Sequence, residues 1–211
     1  MNYVTLEAEI LAEIEWRVKE LTVLKTLPLK RTLSFKEKNI AVKFAIPNIY
    51  STWEGFIKTA FRIYINELNS LNLRHFEINN KILSHNFDTK YPQLTTGVKN
   101  EFKSKCKFID DFIDDLTRPI SLETKLPTES NVNWKVLNKI LERFNLDLFP
   151  EAPYKKALND LLFIRNSVAR GDNSIPITQK LIDENAIFVV TLMDETMYRI
   201  IDGCATTKYR K

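Results

Sequence analysis

Glycine is scarce in this chain. Four residues among 211 are too few for the turns of an all-β sandwich or for a glycine-rich phosphate cradle. Cysteine is scarcer still. Cys106 and Cys204 are the only two, which excludes a multi-cysteine zinc site, and their wide separation fits a reduced protein better than a disulfide scaffold. Histidine is limited to His75 and His85. With no cysteine or ordered carboxylate cluster beside them, they read as solvated loop residues rather than metal ligands. No apolar run approaches the roughly 20 residues that span a bilayer. The N-terminus lacks the basic, apolar and cleavage regions of a signal peptide. The expectation is a cytoplasmic protein that meets no membrane and holds no cofactor or metal.

What is present is ordinary for a globular protein. Hydrophobic residues make up 44% and charged residues 27%, which argues against wholesale disorder. The length suits one sizeable core, so residues 1–211 are expected to form a single domain. A net charge of +4 is compatible with a polyanionic partner without demanding one.

Helical periodicity runs through most of the chain. Leu6, Ile10, Ile14, Val18 and Leu21 mark an amphipathic first helix that ends before Pro28. Ser34-Phe-Lys-Glu37 has the form of a capping box and opens a second helix to about Leu68, with Pro47 predicting a kink or break. Ile49, Trp53, Phe56, Ile57, Ala60, Phe61 and Tyr64 are its broad apolar face, more in keeping with a core than with base stacking. Residues 71–97 lose the periodicity and read as an irregular connection. A helix is expected from Val98 to Leu116, with lysines in its first half and aspartates in its second, a polarity that opposes the helix dipole. Asn133 to Phe144 reads as a short helix. Another starts at Glu151-Ala-Pro153 and stops at Gly171-Asp172-Asn173. Thr178 caps the last helix, and the tail Lys208-Tyr-Arg-Lys211 reads as frayed.

The chemically informative stretch is Leu161-Leu-Phe-Ile-Arg165-Asn166-Ser-Val-Ala-Arg170-Gly171. Arg165 lies on or near the apolar face of its helix, where a cation is costly without a partner. It either ties helices together through a carboxylate such as Glu54 or serves a site. Glu54 itself can orient Arg165 or pair with Arg62.

Arg165-Asn166, three further residues, position 170 and Gly171 resemble the signature of the HEPN superfamily. That signature reads Arg, a polar residue that is often Asn, three residues, then His, often followed by Gly. Trp53-Glu54-Gly55-Phe56 and Glu129-Ser130-Asn131 precede it in the order of the MAE-type HEPN branch. The resemblance covers roughly residues 35–200. It implies an all-α, HEPN-like helical bundle with a kinked long second helix and irregular loops, forming a homodimer in which two motifs meet near the two-fold axis. It also implies a metal-independent endoribonuclease of the toxin or antiviral-defence kind, with RNA as substrate and an antitoxin or regulatory protein as partner. In that chemistry the ribose 2′-OH attacks the adjacent phosphate. Arg165 then binds the phosphate, Asn166 orients it, and position 170 is the acid/base site, with Arg170 and Glu54 counted among the substrate-binding residues.

At the acid/base position this sequence departs from the family. Arginine is never deprotonated near neutral pH and cannot act as general base, so Arg170 implies RNA affinity with weak or no turnover. Either the protein is a natural non-catalytic, RNA-binding or interaction HEPN module, or its active form carries histidine here. The intact Arg165, Asn166 and Gly171 favour the second. Some HEPN toxins have a modifiable tyrosine two positions later; here that position is Asp172, so control by adenylylation is not expected.

Overall fold

The computed structural model describes residues 3–91, 102–128, 131–172 and 174–211. Among these residues the chain forms seven α-helices and no strand. They are α1 (Tyr3–Thr26), α2 (Phe35–Ser70), α3 (Asn80–Lys90), α4 (Phe102–Thr117), α5 (Trp134–Arg143), α6 (Tyr154–Ala169) and α7 (Gln179–Ala205). The fold is the all-α bundle that scarce glycine and helical periodicity require.

The axis of the bundle is α2. Its Ser34 capping box is complete: the Ser34 side chain accepts from the Glu37 amide, and Glu37 reaches back to the Ser34 backbone. The helix continues through Pro47 without a break. Its apolar face, with Ile49, Tyr50, Trp53, Phe56, Ala60 and Tyr64 fully buried, lies against α1, α6 and α7, and α1 also packs on α7. A helix with apolar residues this wide around its surface needs neighbours on several sides.

Residues 120–128 and 131–132, a segment without regular structure where described, lie antiparallel along α2. Ile120 donates its amide to the Leu73 carbonyl at 2.7 Å. Asn69 clamps Leu122 from both sides, accepting from its amide at 2.8 Å and donating to its carbonyl at 3.0 Å. Val132 is held further down α2, its amide by the Tyr50 hydroxyl at 2.7 Å and its carbonyl by the Trp53 indole at 3.2 Å. Side chains of α2 thus satisfy backbone groups that have no ladder of their own.

Three expectations change. Residues 80–90 are helical, because Asn79 is an N-cap that accepts from the Lys81 amide rather than a loop residue. His75 and His85 are buried, not solvated: His85 packs 4.9 Å from the Phe144 ring, with Arg143 at its Nδ1. The C-terminal tail is docked rather than frayed. Tyr209 is buried, Asn79 donates to its carbonyl at 2.8 Å, Lys211 donates to the Glu77 carbonyl, and Lys208 bridges Asp147 and Asp202. The expected helix start at Val98, along with Pro92, Gly97, Ser130 and Asn173, lies outside the described residues.

Candidate functional site

The Arg-Asn motif sits in the last turns of α6. Gly171 follows the helix with φ +82°, a conformation that costs glycine little. Its amide returns to the Val168 carbonyl at 3.0 Å, and the Asp172 amide to the Ser167 carbonyl at 3.0 Å. This paired closure satisfies carbonyls left over at the helix end. No atom lies within 4 Å of a Cβ placed on Gly171, so the backbone angle, not crowding, is what calls for glycine.

Arg165 is half-buried, and its Nη1 donates to the Asn166 Oδ1 at 2.9 Å. Its guanidinium carbon lies 5.4 Å from the centroid of the Tyr50 ring, within range for a cation–π contact. Tyr50 is fixed in turn by burial and by the Val132 amide. The guanidinium is therefore oriented by one aromatic face and one amide, and no carboxylate pairs with it among the described residues. The helix end supplies a partial negative charge that favours cations here. A guanidinium held in this way can fork onto a phosphate without first being ordered.

Arg165 and Asn166 are the predicted pair that the structure joins. Glu54 is bonded to Lys58 at 2.6 Å, one turn along α2, and not to Arg165 or Arg62 among the described residues. It lies close enough to act electrostatically on Tyr50, as Arg165 does. Arg170 is the exposed C-cap, its amide shared between the Asn166 and Ser167 carbonyls at 3.1 and 3.2 Å. Of the Glu129-Ser130-Asn131 stretch, only Asn131 is described. Its Oδ1 is buried and has no hydrogen-bond partner among the described residues, which puts an unsatisfied acceptor beside the Val132 clamp. Among the described residues no group of three or more His, Cys, Asp or Glu side chains is placed to hold a metal.

Tyr50 and the Val132 clamp were not identified from sequence. The available signal was the helical spacing of Tyr50 with Trp53 on an apolar face, since a buried tyrosine hydroxyl needs a partner. Nothing local pointed to a partner 82 residues away.

Two titratable groups near the motif, Tyr50 and Asp172, are held away from neutrality. Burial, aided by Glu54, pushes the Tyr50 hydroxyl up to about 12. The hydrogen bonds that Asp172 accepts from Ser174 hold its carboxyl below the usual range, which leaves it a weak base. His75 follows the C-terminus of α2, roughly 30 Å along that helix from Tyr50, and His85 lies against Phe144. The arrangement offers a cation to an anion, and neither histidine stands beside it.

No helix of the described residues is long and apolar enough to cross a membrane. No curated protein and no solved structure matches the chain. The family described as RiboL-PSP-HEPN matches residues 12–202, and the chain belongs to this HEPN family.

Proposed function

We propose that this protein is a HEPN endoribonuclease scaffold that engages RNA at Arg165 and lacks its acid/base group in the present sequence. The observation that carries the reading is the guanidinium of Arg165. It lies over the Tyr50 ring, is bonded to Asn166 and is left without a carboxylate partner among the described residues. HEPN domains commonly bind RNA and dimerise, which supports RNA as ligand and a homodimer as the working unit, with residues 1–211 as a single domain.

The full reaction needs two proton movements. The 2′-OH gives up its proton as its oxygen attacks phosphorus, and the leaving 5′-oxygen gains one, which yields a 2′,3′-cyclic phosphate and a 5′-hydroxyl. The substrate supplies its own nucleophile, so a metal-activated water is not required. Arg165 neutralises charge on the phosphoryl oxygens, and Asn166 holds the guanidinium in place. Arg170 adds a second cation at the acid/base position but can neither accept nor usefully release a proton. A nuclease of this kind endangers its host, so a neutralising antitoxin or regulatory protein and a cytoplasmic site of action belong to the same proposal.

A second reading, a non-catalytic RNA-binding module, is favoured by one observation: both histidines are packed away from the motif. The two readings share their first test. Arg165→Ala should weaken binding of single-stranded RNA by roughly tenfold, the loss of one charge-assisted contact, with the melting temperature little changed. An unchanged RNA affinity accompanied by a large fall in melting temperature would make Arg165 a structural tie and remove both readings.

A further inference from the structure

The second half of α2 and residues 124–128 enclose a cleft of about 420 Å³, lined by Lys58, Thr59, Arg62, Thr124, Lys125 and Thr128 with Leu126 beside them. Its lining carries three cations, three hydroxyls and no carboxylate. Lys58 is partly neutralised by Glu54. Arg62 and Lys125 are exposed, and neither forms an ion pair among the described residues. Glu13, a carboxylate within electrostatic reach of Arg62, is already paired with Arg17. Unpaired cations gathered with hydroxyl donors in a concave surface match the phosphate oxygens of a nucleic-acid backbone.

The position of the cleft matters as much as its composition. The cleft shares α2 with the Arg165 site, since α2 carries the Tyr50 ring that Arg165 lies over, and Val132, four positions beyond Thr128, is bonded to that Tyr50. At roughly 1.5 Å per residue, Lys58 and Arg62 stand about 12 Å and about 18 Å along α2 from Tyr50. Extended single-stranded RNA covers such a distance in a few nucleotides.

We infer that this cleft is a backbone-binding subsite that holds the phosphates of single-stranded RNA a few nucleotides away from the phosphate at Arg165. The inference rests on the RNA reading of the motif. It assigns Arg62 and Lys125 to affinity for longer strands and to no chemical step. Because the contacts are to phosphates, the subsite is indifferent to base sequence.

The test is binding of a fluorescent single-stranded RNA oligonucleotide of mixed sequence to the full chain, measured over a salt series. Four proteins are compared: the parent, Arg165→Ala, the double variant Arg62→Ala/Lys125→Ala, and a control, Lys36→Ala/Lys180→Ala. The control removes equal charge from exposed positions at the N-terminal ends of α2 and α7. The cleft variant should bind at least tenfold more weakly than the parent at low salt. Its plot of log affinity against log salt should be shallower by about 1.4, the value for two lost phosphate contacts on a single strand. The control should match the parent. If the cleft variant binds like the parent while Arg165→Ala does not, the subsite is wrong and the motif reading survives. If the control loses as much as the cleft variant, the effect is general charge and the subsite is again wrong. If the parent binds no RNA, subsite and motif reading fall together. The two double variants should melt like the parent, since each of their changed side chains is exposed.

Discussion

At the scale of single residues, the chain separates charge that is free to act from charge that is tied down. Arg17 is buried, ion-paired with Glu13, and stacked 4.1 Å from the Trp16 ring, so its guanidinium serves the packing of α1 on α2. Arg165 has an aromatic ring and an amide instead of a carboxylate, and its charge remains available. The histidines illustrate burial acting on titration. Burial lowers the His85 pKa to about 4, helped by the neighbouring Arg143, and burial also lowers His75. The folded protein keeps His85 neutral, whereas the unfolded chain protonates it near 6.5. Its contribution to stability is complete above that pH and is lost as pH falls from 6.5 toward 4. Between pH 7 and pH 5 the parent should lose on the order of 2 kcal/mol by this route. A His85→Phe variant followed by denaturant unfolding at both pH values should show a smaller loss. An equal loss in both proteins would mean that His85 is not held neutral.

At the scale of elements, much of the chain can be read from local signals and some of it cannot. The capping box at Ser34, the glycine stop at Gly171 and the Thr178 cap are local chemistry, and each appears where the sequence places it. The motif pair was legible for the same reason, since Arg165 and Asn166 are neighbours that bond to each other. By contrast, α3 was hidden because Asn79 and Asn80 resemble turn residues when their capping role is not seen. The docked tail was hidden because its partners lie far away in sequence: Glu77 and Asn79 through backbone bonds, and Asp147 through Lys208. Removing residues 208–211 should therefore cost about 2 kcal/mol from the lost burial of Tyr209 and its backbone bonds. For a chain of this size that is a fall in melting temperature of roughly 6 °C, with faster hydrogen exchange in α3. An unchanged melting temperature would return the tail to the frayed state that its composition suggests.

At the scale of the whole molecule, α2 organises both packing and site. One face of it builds the core with α1, α6 and α7. Its Tyr50 supports Arg165, and its Lys58 and Arg62 line the cleft. Membership of the HEPN family accounts for the bundle, and the reading adds a homodimer in which two Arg165 sites approach each other. The central claim is that this site is complete for ribonuclease chemistry except for the side chain at position 170. The measurement that tests it most directly is cleavage of single-stranded RNA, with EDTA present, by the parent and by Arg170→His side by side. The account predicts that the parent leaves the RNA intact or nearly so, and that the histidine variant cuts it to 2′,3′-cyclic phosphate and 5′-hydroxyl ends. A histidine variant that binds RNA as tightly as the parent yet produces no such ends would contradict it.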